Sequence, residues 1–169
     1  MHDYPNRYGV PTRTLHHLML ALMVFQFFKL FNYWNDKQNF ISQNLPNWHA
    51  TIGVVLGFLV IARVIWTLMQ RSHRAHHGII VKMGHFALYV LMFLAPISGV
   101  CLVLGKGYGL KVFGVQLIAR GSDYAHLLPL GQLHSPLTIA FCVLVAGHAF
   151  MAFYHHFVKG DKLLKKMFG

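Results

Sequence analysis

The sequence predicts an all-α integral membrane protein, a four-helix bundle, and three observations carry that prediction. Of its 169 residues, 56% are hydrophobic and only 11% are charged. The charges gather in short segments instead of decorating every turn, as a soluble domain would require. Four apolar stretches, at residues 14–31, 48–69, 79–104 and 133–158, each approach or exceed the roughly 20 residues that cross about 30 Å of hydrocarbon. One membrane domain is expected over residues 1–169, with no internal repeat, low-complexity tract or second domain.

The first stretch is the shortest and has a competing reading as a secretory signal. That reading fails because Asn32, Tyr33, Trp34 and Asn35 follow it with no small-residue cleavage pattern, so the helix is expected to be retained. The second stretch carries Gly53 and Gly57, small residues of the kind that pack membrane helices, and one buried charge, Arg63. The third and fourth hold Cys101 and Cys142, in no CxxC or CxxCH arrangement, so packing is the role expected of both. Three connections remain, at 32–47, 70–78 and 105–132. In the last, Gly105, Gly107, Gly109 and Gly114 interrupt Leu110, Val112, Phe113, Val115 and Leu117, and an interfacial helix is expected there.

Lysine and arginine set the orientation. Arg7, Arg13, Arg71, Arg74, Lys82, Lys159, Lys162, Lys165 and Lys166 fall on one side, and Lys29, Lys37, Lys106, Lys111 and Arg120 on the other. Nine against five puts both termini in the cytoplasm. The net charge of +11 flanks hydrophobic spans, which argues for topology and contact with anionic lipid and against nucleic acid. His73, His76 and His77, among Arg71 and Arg74, read as a solvated basic loop.

Four histidine positions lie inside or at the ends of the apolar stretches: His16 or His17, His49, His134 and His148. An imidazole at membrane depth is costly unless partnered. His134 and His148 are 14 residues apart, a spacing that returns to nearly the same helix face after roughly 21 Å and offers one ligand near each membrane surface. Antiparallel neighbours then supply partners by level, His16 for His148 on the inner side and His49 for His134 on the outer.

Two haems, each held by two histidines, account for all four positions. Such ligation leaves no open iron position, which suits electron transfer and disfavours oxygen activation at the metal. For any single histidine, a hydrogen-bonded structural role or a proton relay is an equal alternative. One zinc or copper site using all four is excluded, because ligands must lie about 2.0 to 2.3 Å from one ion and one helix holds two of them far apart.

Leu15-His16 opens the first helix, Asn47-Trp48-His49 the second, and Lys82-Met83-Gly84-His85-Phe86-Ala87-Leu88-Tyr89 the third. Leu133-His134, Gly147-His148 and His155-His156 follow in the fourth. In this order the chain resembles the bacterial di-haem cytochrome b-561 family over about residues 7–168. That family usually has His-Trp where this chain has His16-His17, so the ligand role passes to His16 by position, with His17 as the substitute.

The resemblance implies an inner-membrane protein with two haems b that moves electrons between a donor and ubiquinone, the quinone docking near the inner haem. His85, opening the third helix, and His155, seven residues after His148, lie at the level where a quinone head would meet that haem. Either is suited to hydrogen-bond it or pass it a proton, and an interfacial histidine reaching water is the competing role. Arg63, 14 residues after His49, would pair with a propionate of the inner haem.

On the outer side Lys106, Lys111 and Arg120 face only Asp123. Such a positive surface steers an anionic donor, either superoxide, which would make the protein a superoxide:ubiquinone oxidoreductase, or an electron-transfer protein. The alternative function is a haem-bearing membrane-anchor subunit that takes electrons from a partner dehydrogenase or hydrogenase, and a homodimer is the other expected assembly. A metal or proton transporter without haem is a third class.

Overall fold

The computed structural model describes residues 2–4, 7–35, 48–73, 78–161 and 163–168. Lys37, Arg74, His76, His77 and Lys162 lie outside the described residues, as do the side chains of Lys29 and His73. Four long helices dominate: α1 (Val10–Asn35), α2 (His49–Met69), α3 (Ile79–Gly105) and α5 (His134–Phe153). A short helix α4 (Leu128–Gln132) precedes α5, and α6 (Leu163–Phe168) closes the chain. Between α3 and α4 runs a two-stranded hairpin, β1 (Leu110–Val112) and β2 (Val115–Ile118).

Among the described residues three helical segments are long and apolar enough to cross a membrane: α2, α3, and the run Ala125–Val158 that contains α4 and α5. Their outward faces suit lipid. Phe58 is 70% exposed and Phe150 67%, side chains that a water-soluble domain would not leave in rows along its longest helices.

One core joins all four long helices. Met19 and Met23 of α1, Ile52, Leu56 and Val60 of α2, and Phe141 of α5 are buried together, with Leu88 and Met92 of α3 packed against them. Lipid tails are as apolar as these side chains, so close packing holds the helices together in place of water exclusion. Gly57 brings α2 onto Pro96 of α3, and at Gly131 a Cβ would run into the backbone of α3 at Leu102, so only glycine allows α4 that close.

The start of α1 is held by a polar network. Asp3, fully buried, accepts hydrogen bonds from the Gly9 N–H at 2.7 Å and from the Thr12 hydroxyl at 2.7 and 2.9 Å. It thereby satisfies an N–H group at the helix start, as a capping side chain does. Trp66 at the far end of α2 donates its indole N–H to Thr12 Oγ1 at 2.8 Å, and the Asp3 N–H donates to Gln70 Oε1 at 3.1 Å.

The connection at 105–132 departs from expectation. The glycine-rich part forms a hairpin instead of an interfacial helix, because Phe113 (φ +48°) and Gly114 (φ +85°) both adopt the left-handed conformation of a two-residue turn. Leu110 and Val112 bury against Leu104, Val54 and Val100, while Lys111 between them is exposed.

Candidate functional site

His49 opens α2 and His134 opens α5, and their ring centres stand 6.0 Å apart at 79°. Two imidazoles bound to opposite sides of one metal have ring centres roughly 6 Å apart, from a metal–nitrogen bond of about 2 Å on each side. The Nδ1 of His134 lies 2.9 Å from the Ala95 carbonyl, which only accepts, so Nδ1 carries the proton and Nε2 presents its lone pair. That is the support a metal-ligating histidine usually has. Ser98 Oγ, 3.2 Å from the same nitrogen, donates to Ala95 as well.

The two rings border an apolar cavity of about 300 Å³ between α1, α2, α3 and α5. Met23, Phe27, Leu56, Met92, Leu110 and Phe141 supply much of its wall. Gln26 is anchored by donating from Nε2 to the His49 carbonyl at 2.9 Å, but its buried Oε1 has no hydrogen-bond partner. Gly53 also lines this cavity, and Gly99 leaves room for His134: a Cβ there would sit 3.0 Å from the ring. Gly57, by contrast, serves helix packing against Pro96, and around Gly147 there is open space. An apolar slot, two facing imidazoles and an unanswered buried acceptor fit a flat, largely apolar group that carries a metal at its centre.

At the opposite end every long helix contributes a polar side chain. His16 of α1 lies close enough to Arg63 of α2 and His148 of α5 to feel their charges. His148 in turn meets the ring of His85 from α3, with centres 5.3 Å apart at 79°. His85 donates from Nδ1 to the Val81 carbonyl at 2.8 Å. The ring of adjacent His17 lies 4.8 Å from that of Phe168 on α6 and 5.9 Å from that of His16. Among the described residues no three histidine, cysteine or acidic side chains gather to hold one metal ion.

His155 stands apart from that cluster. Its turn, Tyr154–Val158, is a π-helical extension of α5, and Nδ1 pairs with Asp161 Oδ2 at 2.7 Å. The hydrogen bond from His155 holds the Asp161 carboxyl below the usual carboxylate range. Sequence reading missed Asp161, although it is one of four carboxylates in the chain and lies six residues beyond His155. It also missed Tyr89, whose hydroxyl accepts from Arg63 Nε at 3.4 Å and lies 3.2 Å from Thr67 Oγ1.

Apolar spans that bury histidines at two levels, with an apolar slot beside one pair, define a membrane-bound cytochrome of the b type. The family model for prokaryotic cytochrome b561 matches residues 7–169. The chain is also similar to cytochrome b561 homolog 2 of Escherichia coli strain K12, with 32% identity over 181 aligned positions, covering 98% of this chain and 93% of that protein. The chain belongs to the prokaryotic cytochrome b561 family. It is a haem-binding membrane protein of electron transport.

Proposed function

We propose that the chain is a di-haem cytochrome of the bacterial inner membrane that crosses the bilayer four times with both termini in the cytoplasm. It carries single electrons between an anionic periplasmic donor and ubiquinone. The observation that carries this reading is the facing pair His49 and His134, 6.0 Å apart beside an apolar cavity. These two would hold the outer haem, and His16 with His148 the inner one.

When bound, a haem held by two histidines supplies a one-electron carrier with no open coordination position. The chain's own residues do the rest. His134 keeps Nε2 available by donating from Nδ1 to Ala95, and the wall of Met23, Phe27 and Phe141 excludes water from the slot. Arg63, oriented by the Tyr89 hydroxyl, supplies a positive charge beside His16 and His148 and is the partner proposed for a propionate there.

Quinone would dock at the same end, where His85 and His155 can each hydrogen-bond or protonate a quinone oxygen. The excess of lysine and arginine in the segments at that end supports its cytoplasmic placement. At the other end Lys106, Lys111 and Arg120 offer an anionic donor a positive surface. Superoxide is the small anion proposed; a protein donor or a dehydrogenase partner would use the same charges.

The test is haem content per chain and a reduced-minus-oxidised spectrum of the detergent-purified protein, followed by anaerobic superoxide and then ubiquinone. Two haems b, reduced by superoxide and reoxidised by quinone, are expected. Two haems inert to superoxide would move the donor to a protein partner, and one haem or none would overturn the di-haem reading.

A further inference from the structure

The hairpin between α3 and α4 is placed unlike an ordinary surface loop. Its first strand lies against α2 and α3, with Leu110 and Val112 packed on Val54 and Val100, and the Phe113 N–H donates to Thr51 Oγ1 at 3.3 Å. The span α2 has 21 residues, about 31 Å of helix, so its whole length is needed for a hydrocarbon core of about 30 Å. Thr51 and Val54 are two and five residues past His49, which sets them roughly 3 and 7 Å below the start of that span. The hairpin therefore reaches down beside the helices to the rim of the acyl region.

Its outward side is apolar where water would disfavour it. Phe113 is 76% exposed, Val115 61% and Leu117 60%. Phe113 also occupies a left-handed backbone position, φ +48°, where a bulky residue is strained and asparagine or glycine is the ordinary choice. The described residues leave the phenyl ring largely uncovered. The same connection also exposes Tyr108, Tyr124, Lys111 and Arg120, and Trp48 is exposed just before α2. Aromatic rings and cations together are the composition of a membrane interface.

The backbone bounds the depth from the other side. Among the described residues the sheet has two strands, and the outer edge of β2 meets no further described strand. An open edge is not stable in hydrocarbon but is satisfied among headgroups and their water.

We propose that the Leu110–Ile118 hairpin is a lipid-docking element, seating Phe113, Val115 and Leu117 at the boundary between headgroups and acyl chains of the leaflet at the His49 end. The occupant of this surface is phospholipid. The same docking presses Leu110 into place as a wall of the histidine cavity, which it lines together with His49 and His134.

The test uses the full chain with its haem in vesicles of phosphatidylethanolamine and phosphatidylglycerol. With Cys101 and Cys142 replaced by alanine, an environment-sensitive fluorophore is attached at Val115→Cys, Leu117→Cys or, as a control beyond the hairpin, Ser122→Cys. Quenching at 115 and 117 by lipids with a nitroxide high on the acyl chain, and weak quenching by iodide, is expected, with the reverse at 122. Iodide quenching at 115 and 117 as strong as at 122 would overturn the proposal and leave the surface to a protein partner.

A second measurement avoids labels. Phe113→Asn keeps the turn, since Asn-Gly is the preferred pair for it, but removes the ring. If lipid holds the hairpin, amide exchange over residues 110–118 rises several-fold in the variant in vesicles. If the hairpin stands in water, the better turn residue leaves exchange unchanged or slower, which counts against lipid docking.

Discussion

The His134 ring lies so close to the backbone of α3 that a single methyl group on Gly99 would stand 3.0 Å from its Cε1. The ring is thus fixed by a carbonyl on one edge and a bare helix surface on the other. Gly99→Ala should tilt the imidazole, and overpacking of this kind costs about 1–3 kcal/mol. The expected result is about ten-fold weaker haem retention at the His49–His134 site, in line with the effect of disturbing a ligand's supporting shell. Haem per chain after a competing apo-protein challenge measures it, and an unchanged retention would show that the ring has freedom to move.

Haem stoichiometry separates the two neighbouring histidines of α1. His16→Ala should lose one of two haems, because His16 lies close enough to Arg63 and His148 to feel their charges, whereas His17→Ala should keep both, because its ring lies 4.8 Å from that of Phe168. The opposite pattern would exchange their roles.

Arg63 should raise the midpoint potential of the inner haem, since a nearby positive charge favours the reduced form. Arg63→Met is expected to lower that potential by roughly 40 mV, which corresponds to about 1 kcal/mol for a partly screened charge. Tyr89→Phe frees the guanidinium and should produce a smaller shift of the same sign, leaving the outer haem untouched. Potentiometric titration of both haems reads each effect, and equal shifts in both would remove Arg63 from the inner site.

The contact between His155 and Asp161 sets a pH dependence with a definite sign. The folded carboxyl titrates below its ordinary value of 3.8, so its contribution is complete above that value and is lost as the pH falls through the lowered one. The protection of the amides over residues 154–161, taken as exchange relative to the intrinsic rate at each pH, should therefore be flat near neutrality and fall only in acid. Asp161→Asn should abolish that acid step and exchange faster at neutral pH. A step that persists in the variant would place its origin elsewhere.

What the sequence made legible follows from helical periodicity. The 14-residue interval between His134 and His148 and the position of His49 at a span's beginning depend only on rise and rotation per residue. In the fold His49 opens α2, and His134 and His148 lie at two levels of α5. Contacts made across helices depend instead on how each helix is rotated about its axis. Tyr89 on Arg63, Ser98 on His134 and His85 against His148 carry no sequence interval that would announce them. The hairpin was hidden for a different reason: four glycines among apolar residues suit an interfacial segment of either kind, and only the turn at Phe113 and Gly114 decides between them.

The network around Asp3 orders events during biogenesis. Thr12 waits for Trp66, and the Asp3 amide for Gln70, partners 54 and 67 residues later in the chain. Both partners lie at the far end of α2, so these bonds at the beginning of α1 form only after the whole of α2 has been made. The amino-terminal segment then closes like a latch on the completed α2, and a nascent chain arrested before Trp66 would lack both of these partners.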